Sequence, residues 1–257
     1  MRKIFKPIVI FLLIAFLLTL SACDESKNPN TKKADPNNVY PRTVNDKEAQ
    51  ALARTLYHNN ELANATFSFK SGSIGSGGFT GQGIVDWKNL NVAIRVSLQN
   101  VNQIDIGSIA TVDGVFESVL DLNQSLTVAG YGSFDWVKRS FDPTQYGIDS
   151  ISQFILKLGA TAPDNPLLIK QNGATILGVE NVNGVKTFKM QNNGSVTYYV
   201  SEKDVLMRVE ADIKGFSGTV VVDFDEQGNS VVDVPEESAA ISIDKISELY
   251  TKLRPQF

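Results

Sequence analysis

The run LNVAIRVSLQ, residues 90–99, carries the clearest structural pattern in the sequence. Every second residue is aliphatic, and the residues between them are mostly polar. A period of two predicts a β-strand with one buried face and one face toward solvent. The aliphatic positions are Leu90, Val92, Ile94, Val96 and Leu98.

Strand patterns continue on both sides of this run. Upstream, Phe67 and Phe69 alternate with polar residues and a glycine-rich turn follows at 72–78. Downstream, Asp113-Gly114 separates two apolar runs, as in tight hairpin turns. Consecutive hairpins predict an antiparallel meander with one buried face. The predicted strands of this half cover residues 79–88, 90–99, 104–112 and 115–122.

The second half of the chain returns to strands after a helical stretch. Its apolar runs are short and are separated by turn pairs such as Asn183-Gly184. The predicted strands cover residues 174–182, 185–190, 196–200, 205–213 and 216–224.

Two longer segments have helical spacing instead. One begins at Asp46, with Thr43 or Asn45 as its cap, and ends near Asn60. The other lies in the middle of the chain and carries an apolar stripe. A short terminal helix is predicted over 244–253. The stripe consists of Ile148, Ile151, Phe154, Ile155 and Leu158.

This order of elements predicts an α+β fold. We expect one large curled antiparallel half-barrel sheet, with the middle helix and the first helix over its concave face. A sheet of this size has more concave surface than two helices fill, so an enclosed apolar cavity is expected.

The first 22 residues read as an export signal. Arg2, Lys3 and Lys6 precede an apolar run that ends in Leu20-Ser21-Ala22-Cys23, which contains the sole cysteine. This ending resembles the lipobox of bacterial lipoproteins. The resemblance implies cleavage before Cys23 and acylation of its sulfur. An ordinary secretory peptide, or an uncleaved anchor with an incidental cysteine, remains the alternative.

The chain then divides into a tether and one domain. Residues 23–45 are polar and hold almost nothing to bury, so as a flexible coil they span about 25 Å. Residues 46–257 form the predicted domain. Removing residues 1–22 lowers the formal net charge from -4 to about -7. This balance argues against nucleic acid as a partner and against electrostatic binding to anionic lipid.

Several strings resemble the LppX/LprA/LprF/LprG group of actinobacterial lipoproteins: residues 113–116, 140–143, 179–188, 198–200 and 206–210. The resemblance spans about residues 46–236 and rests on their serial order. It implies a LolA-like half-barrel around an apolar cavity, and the binding of acylated lipids or lipoglycans without catalytic residues. The short connection from Met190 to Ser195 departs from the longer loop expected in several relatives.

Residues for other chemistry are sparse. His58 is the sole histidine and is expected to be a polar residue at a helix end, and acylated Cys23 is unavailable as a nucleophile or metal ligand. Gly72–Gly78 lacks the Lys-Ser/Thr of a phosphate loop. Ser242-Ile243-Asp244-Lys245 fits Ser-x-x-Lys but lacks its partner motifs. We therefore expect no enzyme activity, no metal site and no cofactor.

The sequence predicts an extracytoplasmic lipoprotein, anchored to the cell membrane through Cys23, that binds an acylated lipid or glycolipid and carries it across the envelope. A membrane transporter is a candidate partner. The alternative is a cell-surface interaction or regulatory lipoprotein without a lipid ligand. The predicted cavity walls are Phe69, Val92, Ile94, Val96, Ile151, Phe154, Ile155, Leu158, Phe188, Tyr198, Met207, Val209, Val220 and Val222. Tyr198 or Tyr199 is a candidate for placing a hydroxyl at a headgroup.

Overall fold

The computed structural model describes residues 39–72, 78–98, 105–118, 126–127, 130, 132–192, 194, 196–216 and 218–253. Tyr40–Phe257 belongs to one compact unit. The predicted signal segment and Cys23 lie outside the described residues. Within those residues, no helix combines the length and apolar character that crossing a bilayer requires.

The described strands form one thirteen-stranded sheet. They are β1 (Arg42–Thr43), β2 (Asn64–Ser71), β3 (Phe79–Asp86), β4 (Asn91–Leu98), β5 (Asp105–Thr111), β6 (Gly114–Ser118), β7 (Trp136–Arg139), β8 (Thr175–Val182), β9 (Val185–Gln191), β10 (Val196–Ser201), β11 (Leu206–Asp212), β12 (Thr219–Gln227) and β13 (Ala240–Ser242).

The spatial order of the strands is β1-β8-β9-β10-β11-β12-β2-β3-β4-β5-β6-β7-β13. All neighbours pair antiparallel except β13, which runs parallel to β7. In the described residues β1 and β13 are the two edges, so the curled sheet is not closed into a barrel. The predicted α+β class with one large antiparallel sheet is confirmed.

Four α-helices accompany the described sheet: α1 (Asp46–Leu62), α2 (Gly147–Leu156), α3 (Pro166–Gln171) and α4 (Ile243–Leu253). Asn45 and Glu48 form a capping box at the start of α1, so Asn45 is the cap. α1 lies against β2, β10 and β11, whereas α2 lies against β3, β4 and β5. The face of the sheet that carries these helices is called the inner face below.

The inner face is mostly packed core. Alternate residues of neighbouring strands meet there in register, such as Phe69 with Val222 and Ile94 with Gly83. Trp87 and Phe224 are buried between the sheet and the helices, with ring centroids 6.0 Å apart. Over the described residues, these large side chains fill much of the space that the sequence predicted to be an enclosed cavity.

Two glycines in β3 make this packing possible. Gly81 and Gly83 face Phe69 and Phe67 on β2. A Cβ atom on either glycine would overlap the facing phenylalanine ring. Because β3 has no side chain at these two positions, both rings lie over its backbone.

The hairpin between β8 and β9 follows its predicted turn. Asn183 and Gly184 have φ angles of 49° and 80°, the left-handed pair that a two-residue type I′ turn requires. Asn183 also donates from Nδ2 to Asp225 Oδ1 at 2.7 Å.

The boundary between tether and domain needs a correction. Residues 23–45 were predicted to form the tether, yet Arg42 and Thr43 pair with β8 and Val44 is 4% exposed. The folded unit begins at Tyr40 rather than at Asp46. Two residues are too few to show a period-two pattern, so the sequence does not predict this edge strand.

Two smaller apolar clusters extend the fold beyond the main core. Val137 and Ile241 pack with Leu126 and with Ile246 of α4. On the other face of the sheet, Val232 packs against Ile109 and Phe116. These clusters attach the C-terminal segment to the β5–β7 side of the sheet.

Candidate functional site

An apolar pocket of about 380 Å³ opens at one end of the inner face. It lies where β3 begins, β4 ends and α2 starts, and this region is called the open end. Its apolar lining is Phe79, Val96, Ile148, Ile151 and Phe216, and its remaining lining is Glu117, Gln145, Tyr146 and Gly147. The space is at the lower end of the range for small-molecule sites.

Aromatic rings form one wall of this open-end pocket. The Phe79 and Phe216 centroids are 4.7 Å apart with an interplanar angle of 50°. Phe69 meets Phe79 edge-on at 6.0 Å and joins the wall to the packed core. A Cβ on Gly147 would lie 3.2 Å from the Phe216 ring, so the glycine allows α2 to start close to this wall.

A buried ion pair fixes the start of α2. Arg139 donates from Nη1 and Nη2 to the two carboxylate oxygens of Asp149, at 2.7 and 2.8 Å. The Arg139 side chain is 3% exposed and that of Asp149 is 1% exposed. Asp149 also accepts the backbone N–H of Asp142 at 2.7 Å. This geometry connects α2 to β7 and holds Tyr146 and Gly147 at the pocket.

Glu117 completes the cluster from β6. Its Oε1 accepts from Arg139 Nε at 2.9 Å and from Nη2 at 2.6 Å. Burial alone would lower the pKa of Arg139, but hydrogen bonds to Asp149 and Glu117 outweigh it, so the pKa lies above its usual value. The Tyr146 ring lies 3.9 Å from the guanidinium carbon and covers it.

The opposite end of the inner face, called the closed end, is packed. Trp87 follows β3 and donates from Nε1 to the carbonyl of Ile155 at 3.0 Å. Asn59 of α1 is fully buried and donates from Nδ2 to the carbonyl of Leu158 at 2.8 Å. Gly159 lies against the Trp87 ring, where a Cβ would overlap it. α2 therefore runs from the pocket to the closed end.

The predicted wall residues fall into three groups. Val96 and Ile151 line the open-end pocket. Phe154, Phe188, Tyr198 and Met207 are half-buried outside that lining. The third group is buried in the main core: Phe69, Val92, Ile94, Ile155, Leu158, Val209, Val220 and Val222.

Three residues of the half-buried group, Phe154, Phe188 and Tyr198, pack against the main core. Phe154 borders a smaller depression of about 290 Å³ with Ile213 and Lys214. Phe188 borders another depression, beside the start of α1. Met207 lies at a register shift, so Leu206 pairs with Val200 and enters the core.

The two candidate headgroup tyrosines point to different faces. Tyr198 is on the inner face, and its burial raises the pKa of its hydroxyl. Tyr199 lies on the opposite face and donates to Glu210 Oε1 at 2.8 Å. Neither belongs to the lining of the open-end pocket.

Sequence reasoning missed most of the pocket lining. Phe79 begins β3 after the glycine-rich turn, and Phe216 lies shortly before β12. The alternating pattern predicts only that each lies on a face of a strand. Ile148 belongs to the predicted apolar stripe but is not among the predicted wall residues. Nothing in the local pattern connects Glu117 with Arg139, because their contact depends on the pairing of β6 with β7.

Residues for metal or acid–base chemistry do not converge in the part of the chain that the structure describes. His58 lies at the end of α1, with Nδ1 3.4 Å from Glu61 Oε2. Across those same residues, no group of three His, Cys, Asp or Glu side chains has the proximity that a metal ion needs.

A larger groove of about 610 Å³ lies on the face opposite the helices. Ser68, Gln82, Arg95 and Asp225 contribute polar side chains to it. It lies on the face of the sheet that carries none of the described helices, not between sheet and helix. We therefore assign the candidate site to the open-end pocket, whose walls are mainly apolar.

Comparisons with known proteins find similar structures but no match by sequence. No protein-family model matches the chain, and no curated protein matches it. The structure is similar to the Mycobacterium tuberculosis lipoprotein LppX, with 14% identity, a TM-score of 0.42, and coverage of 73% of this chain and 99% of that one.

Two further solved structures are similar at lower levels. An uncharacterised conserved protein from Thermus thermophilus has 9% identity and a TM-score of 0.40, covering 76% of this chain and 99% of that one. A LolA superfamily protein from Nitrosomonas europaea has 8% identity and a TM-score of 0.30, covering 73% and 97%. Similarity at these levels says nothing of what this chain binds, so its function has to follow from its own residues.

Proposed function

We propose that the protein is a lipoprotein anchored to the extracytoplasmic face of the cell membrane, which holds an acyl chain of a lipid or glycolipid in the open-end pocket and carries that lipid across the envelope. The observation that carries this proposal is the pocket itself. Phe79, Val96, Ile148 and Phe216 remain half-buried around an apolar space, whereas the same inner face is packed elsewhere.

The energetic role of such a pocket is to replace the bilayer as an apolar environment. Exposing an acyl chain to water costs about 0.8 kcal/mol per methylene group, whereas moving it between two apolar environments costs little. A pocket that covers part of the chain lowers this barrier without any chemical step. Catalytic residues are unnecessary for this function.

The proposed anchor keeps the pocket near its source of lipid. Two or more acyl chains on Cys23 would make membrane attachment stable. The polar segment before Tyr40 would hold the domain within about 25 Å of the headgroups. Because an anchored protein has limited reach, we propose that it delivers lipid to a partner such as a membrane transporter.

The proposal is tested by identifying lipids that accompany the purified protein. The full chain is purified from membranes in mild detergent, as wild type and as Val96→Trp, and bound lipids are extracted and quantified by mass spectrometry. The added indole would fill the pocket, so we expect at least a fivefold loss of bound lipid. Val179→Trp is the matched control, because Val179 is an exposed valine of β8 outside the pocket lining.

Equal lipid content in all three proteins, or none in wild type, would contradict the carrier function. The second result would favour a lipoprotein that binds a protein partner instead. Thermal unfolding of each variant shows whether Val96→Trp remains folded. If it does not, Ile148→Trp from the facing helix provides the second variant, since Ile148 is also half-buried.

A further inference from the structure

The polar side chains of the open-end pocket affect which lipid can bind there. This inference rests on the lipid-binding function proposed above. Glu117, Gln145 and Tyr146 are the polar side chains of the lining, and no Lys or Arg belongs to it within the described residues. Arg139 lies behind the Tyr146 ring, outside the lining.

Arg139 has no donor left for a ligand. Its Nε–H donates to Glu117, its Nη1 to Asp149 and to the carbonyl of Ser140, and its Nη2 to Asp149 and Glu117. These contacts use all five N–H groups of the guanidinium. With a side chain only 3% exposed, Arg139 cannot bind a phosphate or carboxylate headgroup without breaking a buried ion pair.

Glu117, unlike Arg139, has a polar atom available to a ligand, and this atom is an acceptor. Both contacts from Arg139 go to its Oε1, and Oε2 has no hydrogen-bond partner among the described residues. The side chain is 29% exposed and lies in the pocket lining. Two carboxylates, Glu117 and Asp149, share one guanidinium, so the cluster carries a net negative charge. Oε2 is therefore an acceptor that attracts donors and repels anions.

Ser108, outside the lining of the open-end pocket, also has an oxygen without a hydrogen-bond partner among the described residues. Ser108 lies directly opposite Glu117 in the β5–β6 register. It is 2% exposed, and its hydroxyl oxygen has no hydrogen-bond partner among the residues that the structure describes. A buried hydroxyl without a partner costs free energy, so its presence here calls for an explanation.

We propose that Glu117 selects the polar end of the ligand: the pocket takes a lipid with an uncharged, hydroxyl-bearing headgroup, such as glycerol or sugar, and disfavours acidic lipids. A headgroup hydroxyl donates to Glu117 Oε2, while the acyl chain contacts Phe79, Val96 and Phe216. A phosphate in the same place meets a carboxylate and finds no free cation. Glu117 is thus a specificity-determining residue.

Competition between two lipids with the same acyl chains tests this selection. The full chain is reconstituted in phosphatidylcholine vesicles that contain a diacylglycerol with a diazirine in one acyl chain. Crosslinking to the protein is then measured against unlabelled dioleoylglycerol or dioleoyl phosphatidic acid. We expect dioleoylglycerol to displace the probe about tenfold better, the size expected of one hydrogen bond to a charged group.

The Glu117→Gln variant tests whether the negative charge of Glu117, and not the shape of its side chain, causes the lipid preference. The amide keeps an acceptor but removes the negative charge, so we expect the preference to fall to threefold or less. Glu202→Gln changes the net charge equally at an exposed carboxylate outside the pocket lining and is expected to keep the wild-type preference. Glu117→Asp retains the charge and should retain the preference, which provides a second variant if the glutamine variant is unstable.

The outcomes distinguish the two proposals. Absence of crosslinking in wild type overturns the lipid-binding function itself. Crosslinking that both competitors displace equally leaves lipid binding intact and overturns the selection by Glu117. A wild-type preference that survives in Glu117→Gln also overturns it.

Discussion

The closed and open ends of the inner face use the same kinds of residue in different ways. At the closed end, Trp87 is 2% exposed and its indole N–H is bonded to the carbonyl of Ile155. At the open end, Phe79 and Val96 are half-buried around a space of about 380 Å³. Since β3 and α2 extend along both ends, the difference comes from side-chain packing and not from a change of fold.

This difference separates packed core from pocket wall along a single helix. The second half of α2 is held by apolar burial, with Ile155 fully buried. Its first half is held by the ion pair between Asp149 and Arg139 as well as by the buried side chain of Ile151. An ion pair fixes the position of a helix while leaving neighbouring apolar surface uncovered, and this is what an apolar pocket requires.

The largest expected effect is at the closed end. Trp87→Ala removes a fully packed indole and its hydrogen bond, so we expect the free energy of unfolding to fall by about 3–5 kcal/mol. Denaturant unfolding measures this change. A loss below about 1 kcal/mol would mean that the closed end is not the packed core described above.

The next effect concerns the ion pair that holds α2 at the pocket. Asp149→Ala leaves Arg139 buried with Glu117 as its remaining ion-pair partner, and we expect a loss of about 3 kcal/mol. Because Tyr146 and Gly147 would lose their anchor, lipid uptake should fall as well. Unfolding and lipid content measured on the same preparation check both effects. Unchanged stability would show that the pair is dispensable for α2.

A matched pair on β4 sharpens the contrast between the two ends. Val92 and Val96 share a strand and a face, but Val92 is 0% exposed and Val96 is half-buried. We expect Val92→Ala to cost about 2 kcal/mol of unfolding free energy and Val96→Ala about 1 kcal/mol or less. Equal costs in denaturant unfolding would contradict the distinction between core and pocket wall.

The smallest effect is a pH dependence at the start of α1, away from both ends. Hydrogen bonds from the Arg42 guanidinium, at 2.5 and 2.7 Å, lower the pKa of Glu48 below its ordinary value of 4.5. A lowered folded-state pKa contributes stability above the unfolded-state pKa, and this contribution disappears as the pH falls through the folded-state value.

Glu48→Gln should therefore be less stable than wild type at neutral pH, and the gap should narrow below about pH 4.5. Unfolding measured from pH 3 to pH 7 tests this, with Glu61→Gln on the exposed end of the same helix as control. A gap that stays constant with pH would contradict the role given to the Arg42–Glu48 pair.

The sequence predicted the longer elements because each has its own periodic pattern, but it did not predict the short strands β1, β7 and β13. The strand expected over 90–99 is β4 (Asn91–Leu98), and the helix expected from Asp46 is α1. Apart from the hairpins, the sequence pattern did not predict contacts between different secondary-structure elements. The parallel pairing of β13 with β7 and the contact between Arg139 and Asp149 depend on how distant segments meet in space.

The candidate site was predicted only in part for the same reason. Alternation placed Val92, Ile94 and Val96 on one face, which β4 confirms, but it carries no information on which of them a helix covers. That depends on where α2 begins and on the Phe67 and Phe69 rings over Gly83 and Gly81. Whether the predicted wall residues contact a lipid remains a prediction.

The most direct test of the central claim maps where an acyl chain touches the protein. The full chain is reconstituted in vesicles that contain the diazirine-labelled diacylglycerol, irradiated and digested, and the crosslinked residues are identified by mass spectrometry. We predict adducts on Phe79, Val96, Ile148 and Phe216 at the open end, and none on Trp87 or Leu158. Adducts confined to the segment around Cys23, or found equally at both ends, would contradict the claim that the open end is the lipid site.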